Sequence, residues 1–475
     1  MASVLSLAAQ WGKDLSEVLS KLTWPQLCGL ASAGLLGQVL WSHYRILLRR
    51  RLPPHDLGVP LLGHTFGILK MGLERWALHV MEGKQTLLSH YFFTPAVIIR
   101  HEQYMKHIHR SELNGELCPL FPRSFERMIG ENSVINLPGG KGHPKHKRLR
   151  GKLLASLGPQ YVLSLIPEIA ALVRLTLDGM VKDTERQGYA EFQRAASELA
   201  ARASVLPIAA GLEEAEQRSF EVLLNDVMTG LLAPPLDLGR FSAHGRALIA
   251  RRKVCQMISK IMAQPKKHRQ NIIADLMKDS EDGKGFTEEE ISDTVFTLLI
   301  AGKLTTADAL PCLLVQLYQN TSWNQRVAAE NLEMKSPEED SVTLRVVRES
   351  LRFKPPVGAF RRVSFQKDTD LGEHGVVPMG CPMAILFSPL LKELGDTFDP
   401  DRWLTLDKDR FLVFGGHQPH ECIGKHLALV ELQLFARILC RDYDFEVLDT
   451  TEVVDPSNPV NVVYKDGCRV KISKK

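Results

Sequence analysis

The chain has 475 residues, 44% of them hydrophobic and 24% charged, so it can bury a sizeable core and is not a disordered polymer. Lys and Arg number 59 against 55 Asp and Glu, a net charge of +4; that balance argues against a nucleic-acid partner. Eight cysteines, at 28, 118, 255, 312, 381, 422, 440 and 468, form no C-x-x-C pair, which argues against a disulfide scaffold or zinc ribbon and fits a reducing compartment.

The composition breaks near residue 52. Residues 22–41 are uncharged and moderately apolar, about long enough to cross a bilayer, which takes roughly 20 apolar residues. Arg45, Arg49, Arg50 and Arg51 follow and would hold that end in the cytoplasm. Residues 1–50 are therefore expected to be an N-terminal segment carrying a membrane anchor, with a buried or amphipathic helix as the alternative. Met1 to Lys21 contains no arginine and makes a poor transit peptide.

From about 100 to 350 the apolar spacing is mostly helical, most clearly over 160–181. Short β-branched runs lie near the edges, at 96–99, 376–387 and 460–470. This distribution predicts a mainly α fold with small β-sheets, one large domain over 51–475. An open parallel sheet is not expected, because regular strand–helix alternation is missing.

Four stretches carry chemistry. In HPKHKRLRGKLL, His146 and Arg150 are four apart on a basic helix start and can clamp one anion, although a solvated charged face is the ordinary alternative. In 286–310, Thr287 and Glu290 form a capping box opening a long helix. Its centre holds Gly302, expected to leave a gap in the helix wall, and then Thr305 and Thr306, whose hydroxyls bend backbone and order water or merely back-bond to the preceding turn. In VTLRVVRESLRFKPP, Glu349 and Arg352 share a helix face that Pro355 and Pro356 terminate, and Arg361 follows on a strand-like run. In 411–439, a glycine-containing loop delivers Cys422 to a helix N-terminus, where unpaired N–H groups favour thiolate and His420 adds a donor or positive charge. Such a thiolate is a good iron ligand. An ordinary buried cysteine, or a partial zinc site from His417, His420 and Cys422, are the alternatives.

In this order the stretches resemble the cytochrome P450 family, the haem-thiolate monooxygenases. Phe414, Gly415, His420, Cys422 and Gly424 match the pattern around its iron ligand. Glu349 and Arg352 match its E-x-x-R pair, and Phe398, Pro400, Arg402 and Trp403 its F-x-P-x-R-W element. Ala301, Gly302, Thr305 and Thr306 match its central helix, and Pro53 to Gly63 its proline-rich hinge. The resemblance runs from about residue 50 to the C-terminus. One residue more than usual separates Phe414 from Cys422, Gln418 replaces a glycine, and Leu304 stands where the family usually has an acid.

The resemblance implies a cytochrome P450 fold and haem b with Cys422 as axial iron ligand. It implies a cofactor-binding set of Cys422, His420, Phe414, Gly424, Arg361, His146 and Arg150, and a structural ion pair between Glu349 and Arg352. Gly302 and Thr305 would form an oxygen notch beside Thr306. Electrons would come from NADPH through an NADPH-cytochrome reductase or a ferredoxin-type donor, docking on Lys147, Arg150, Lys425 and Arg437. The stretch 234–254 resembles the branch that oxidises sterols, retinoids and related isoprenoids, so a lipophilic substrate is expected, on the cytoplasmic face of the endoplasmic reticulum membrane or else in a mitochondrion or plastid. A haem-thiolate isomerase or dehydratase needing no reductase, and a non-catalytic haem or lipid-binding protein, are the rival readings.

Overall fold

The computed structural model describes residues 23–60, 62–91, 94–208, 214–231, 233, 235–263, 271–278, 285–407, 410–416, 419–455 and 462–475. The transit-peptide reading of 1–21, and His417 and Gln418, lie outside these residues.

The first helix, α1 (Trp24–Tyr44), begins at a capping box between Thr23 and Gln26 and is displaced by two to three residues from the expected 22–41. Leu36, Val39 and Trp41 on it are exposed. It meets the body at its end, where Tyr44, Ile46 and Leu47 pack on a cluster around Leu57, Leu88 and Val97. The helices that build the site follow: α2 (Glu102–Leu113), α3 (Pro144–Ser156), α4 (Ile166–Gln187), α5 (Phe192–Val205), α6 (Glu214–Leu231), α7 (Glu288–Gln319), α8 (Val342–Phe353) and α9 (Lys425–Asp442). The periodic run 160–181 breaks at Leu165, giving a short helix Pro159–Ser164 before α4. Pro167 fits the break: it has no N–H to continue the preceding helix and its ring clashes with the carbonyl four residues back, so it is accommodated in the first turn of α4.

Six strands make the main sheet: β1 (His55–Asp56), β2 (Thr86–Tyr91), β3 (Thr94–Ile99), β4 (Cys118–Pro119), β5 (Ala359–Val363) and β6 (Met383–Leu386), in the order β1–β2–β3–β6–β5–β4. β3 and β6 run parallel with Ile98 beside Ala384, and β5 runs antiparallel to β6 with Arg361 opposite Ala384. The run 376–387 is two strands, not one: Val376–Val377 and then β6. Pro378 and Pro382 lie between them and cannot donate to a ladder. The architecture is mainly helical with small sheets, as expected.

α7 is the spine. Thr287 Oγ1 accepts from Glu290 N at 3.2 Å, and Glu290 Oε2 accepts from Thr287 N at 2.9 Å. Three glutamates in its first turn complement the helix dipole. Its N-terminal half (Val295, Phe296, Leu299) packs in one apolar cluster with Leu224 and Val254, its C-terminal half (Leu310, Leu313, Leu314) in another with Leu429 and Phe435 of α9. Among the described residues it is the one helix long and apolar enough to cross a membrane, yet 61% of its most apolar window is buried in the protein. There, length and hydropathy report a core helix.

Candidate functional site

The loop before α9 turns at Gly415 and Gly416, whose φ values of 94° and 62° favour glycine. The Cys422 N–H donates to the Phe414 carbonyl at 2.9 Å and closes the loop. Phe414 meets Phe411 edge-on, and Phe411 meets Trp403 in the same way. Gly424 is the N-cap of α9. The Cys422 side chain keeps accessible surface although protein surrounds it, so it faces internal space. Burial pushes its thiol up, while the Gly424 N–H and Arg150 pull the other way without prevailing. The helix-start N–H acts in the expected direction, toward thiolate, and desolvation outweighs it.

His420 is committed to the scaffold. Its Nδ1 lies 2.7 Å from Glu112 Oε1 and its Nε2 lies 3.1 Å from the Leu137 carbonyl. Both ring nitrogens face protein acceptors, so the donor expected beside the thiolate is directed to Glu112 and Leu137. The same Glu112 oxygen accepts from Arg362 Nε at 2.8 Å. Burial works to raise the Glu112 carboxyl, but His420 and Arg362 together hold it below the usual carboxylate range. Glycine at 139 permits the close approach, since a Cβ there would lie 2.6 Å from Pro419.

His146 and Arg150 sit one turn apart on α3, both buried. The His146 ring centroid is 4.4 Å from that of His420, and Arg150 Nη1 donates to the Glu421 carbonyl at 2.5 Å. Burial first, then His420 and Arg150, push His146 down to about 3, so its ring is neutral. His146 Nε2 and Arg150 Nε are buried with no hydrogen-bond partner in the protein. Such nitrogens cost roughly 1–3 kcal/mol each unless something meets them. On β5, Arg361 is half-buried and alternates with Arg362, so the two leave the strand on opposite faces.

Glu349 is a hub. It is wholly buried and accepts from Arg352 Nε and Nη2 at 3.0 and 2.9 Å, from Arg402 Nε at 2.9 Å and from Trp403 Nε1 at 3.0 Å. Arg352 spends its remaining donors on the carbonyls of Leu391, Gly395 and Thr397. The E-x-x-R and F-x-P-x-R-W elements are therefore one network.

Along α7, Leu298, Ala301, Thr305 and Asp308 keep accessible surface in steps of three and four while most of the helix is buried, so one face lines internal space. The Thr305 hydroxyl back-bonds to the Ala301 carbonyl at 2.9 Å. The Thr306 hydroxyl turns to the other side and donates to Glu431 of α9 at 3.1 Å. Burial pushes Glu431 up to about 8, with Thr306 opposing. Gly302 does not open a gap: a Cβ there would meet Ser204 Cβ at 3.0 Å, so this glycine serves the crossing of α5 over α7. Leu304 packs in the same apolar cluster as Ile423 from the cysteine loop.

The structure brings together Cys422, His420, His146, Arg150, Phe414 and Gly424, and joins Glu349 to Arg352. It removes two residues from the expected docking face. Arg437 is buried and paired with Glu330 at 3.2 Å, and Arg150 is buried against the cysteine loop. Lys147 is exposed, and Lys425 pairs with Glu338 at 2.9 Å. Among the described residues no group of three or more His, Cys, Asp or Glu could hold a metal ion; the partial zinc site includes His417, which lies outside them. Two participants carried no notice in the sequence reading. Glu112 lies about 250–310 residues from its partners, beyond any local pattern. Glu431 was visible as a lone acid inside the apolar run LALVELQLF.

The cytochrome P450 family model matches residues 210–467, more than half of the chain. Cytochrome P450 85A of Phaseolus vulgaris is 25% identical over 459 residues, covering 91% of this chain and 94% of that protein. Abscisic acid 8'-hydroxylase 4 of Arabidopsis thaliana is 25% identical over 438 residues, covering 87% and 91%. Among solved structures, the retinoic acid-bound cyanobacterial CYP120A1 superposes with a TM-score of 0.75 at 20% identity, covering 90% of this chain and all of that one. That likeness speaks to the fold.

Proposed function

The chain belongs to the cytochrome P450 family of haem-thiolate monooxygenases, and from that premise we propose that it inserts one oxygen atom of O2 into a lipophilic substrate of isoprenoid, sterol or retinoid type. The observation that carries the reading is Cys422, facing internal space beside two buried nitrogens, His146 Nε2 and Arg150 Nε, that no protein group meets. The residues fit haem b. A sulfur stands ready as iron ligand, and two nearby nitrogens suit an anion such as a propionate carboxylate.

In this reading Cys422 would hold the haem iron, His146, Arg150 and Arg361 would hold its carboxylates, and Phe414 and Gly424 shape the ligand loop. His420 positions the His146 ring and ties the loop to Glu112. When bound, the haem-thiolate supplies the oxygen-activating chemistry. The protein's residues do the rest. The α7 face from Leu298 to Asp308 binds the substrate and excludes water. Thr305, its hydrogen given to Ala301, keeps oxygen lone pairs to orient a water, and Thr306 with Glu431 keeps a proton on the opposite side of the helix. Gly302 acts by letting α5 close on α7. Residues 51–475 form the haem domain.

Electrons come from NADPH through an NADPH-cytochrome reductase or ferredoxin-type partner. Two relatives support the substrate class: the Arabidopsis protein is named for hydroxylating abscisic acid, and the cyanobacterial one was solved with retinoic acid. The exposed apolar side chains of α1, followed by four arginines, support attachment to the cytoplasmic face of the endoplasmic reticulum membrane. The test is the reduced, CO-bound absorption spectrum of the full chain purified with haem. Thiolate ligation shifts the Soret band to the red, and a histidine-type spectrum, or no haem uptake, overturns the reading. A reductase-independent isomerase is the second reading, favoured by Leu304 in place of an acid. Product formed without NADPH decides for it.

A further inference from the structure

One helical turn beyond Thr305, on the same face of α7, Asp308 lines a cavity of about 220 Å³. Most of its wall is apolar, from Leu73, Pro311, Val357, Leu386, Val462 and Val463. Six polar residues interrupt that wall, Glu74, Gln193, Asp308, Lys354, Ser388 and Tyr464, and two of them suit a hydroxyl. Asp308 is one. The other is Ser388, 1% exposed, whose Oγ has no hydrogen-bond partner in the protein. Glycine at 358 makes room for that hydroxyl, since a Cβ there would lie 2.9 Å from Ser388 Oγ. A buried hydroxyl left unmet is costly, and it points to a ligand that meets it.

The charges around the cavity say which ligand. Glu74, paired with Lys392 at 3.2 Å, and Asp308 line it, and its one lining ammonium, Lys354, is bound to Glu452 at 3.0 Å and lies 4.4 Å from the Tyr464 ring, so Asp308 is the carboxylate that sets the character of the wall. Burial raises Asp308 to about 6, with Lys354 opposing and Asp455 adding to the rise, so above neutral pH it is an anion. An anionic wall accepts a hydroxyl proton and repels a carboxylate.

We propose that this cavity is the subsite that recognises a hydroxyl group on the isoprenoid substrate, with Asp308 accepting its proton and Ser388 donating to its oxygen. This deepens the monooxygenase reading and rests on it. The hydroxyl is a handle: it fixes one end of the molecule a helical turn from Thr305 and leaves the hydrocarbon to be presented at the α7 face. The subsite therefore selects substrates that are already oxygenated, products of an earlier hydroxylation or hydrolysis.

The experiment uses the haem-loaded full chain above neutral pH and three probes on one skeleton: farnesene, farnesol and farnesoic acid. Binding is measured by calorimetry and by the shift of the Soret band. Farnesol is expected to bind about tenfold more tightly than farnesene, as one to two buried hydrogen bonds imply, and farnesoic acid more weakly than farnesol. Ser388→Ala lowers the farnesol-to-farnesene ratio about fivefold, the worth of about one hydrogen bond. Asp308→Asn keeps an acceptor for farnesol but removes the charge, so farnesoic acid gains affinity. Farnesene reports whether each variant is folded. Equal binding of farnesol and farnesene by the parent chain, or variants that leave both ratios unchanged, overturns the subsite while the CO spectrum leaves the monooxygenase reading standing. Loss of the thiolate spectrum in the parent chain overturns both.

Discussion

The Thr306 hydroxyl donates to Glu431 Oε2 at 3.1 Å, joining the central helix to the helix that follows the cysteine loop. Burial pushes that carboxyl up to about 8, well above the ordinary glutamate value. The folded chain therefore holds a proton that the unfolded chain releases near pH 4 to 5. The stability that Glu431 contributes is full below that range and is lost as pH rises toward about 8, with a slope of about 1.4 kcal/mol per pH unit. Glu431→Gln keeps a partner for Thr306 and removes the ionisation. Urea unfolding across pH 5 to 9 is expected to show the variant gaining on the parent as pH rises; parallel curves would contradict the buried-acid assignment.

Glu349 presents a different balance, because its charge is met by Arg352, Arg402 and Trp403. Glu349→Gln leaves two guanidinium groups buried around a neutral amide. Breaking such a network from one side costs roughly 3–5 kcal/mol. The midpoint of denaturant unfolding should fall accordingly and haem content drop with it, whereas Trp403→Phe, which removes a single neutral donor, should cost about 1 kcal/mol.

These two sites show what the sequence could and could not disclose. Glu349 and Arg352 are three apart on one helix, so their pairing was legible from spacing, and the proline pair ending that helix was legible from backbone chemistry. The capping box at Thr287 was equally local. Glu112 was not, since it reaches Arg362 and His420 only after α2, β5 and the cysteine loop are assembled. Gly302 misled for a related reason: a glycine in a helix signals closeness to something, and only the packed structure shows that the neighbour is Ser204. Arg437 reads as a surface charge until α9 is seen to be buried almost all round.

Cys422→Ser separates the ligand from the fold. The backbone bond from Cys422 N to the Phe414 carbonyl does not depend on the side chain, so the thermal transition of the variant should stay close to that of the parent. The reduced CO complex should lose its thiolate signature. His146→Leu, by contrast, leaves the cysteine in place and removes one of the two unmet nitrogens. Its CO spectrum should keep the thiolate form while haem dissociates faster into apomyoglobin, and an unchanged dissociation rate would count against His146 as a haem contact.

The surface left for a redox partner is smaller than charge counting suggests. Of the four basic residues that the sequence offered, Lys147 is exposed, Lys425 is half-committed to Glu338, and Arg150 and Arg437 are interior. An exposed charge steers association and its effect fades with salt, whereas a buried one acts on stability. Lys147→Glu should therefore raise the reductase concentration needed for half-maximal NADPH-dependent turnover at low ionic strength, and the difference from the parent should vanish in high salt. Arg437→Met should leave that concentration unchanged in whatever fraction folds, but lower the unfolding temperature, because half-buried Glu330 loses its counter-charge and the Thr343 oxygen a donor. If both substitutions shift reductase dependence equally, the assignment of Arg437 to the interior is wrong.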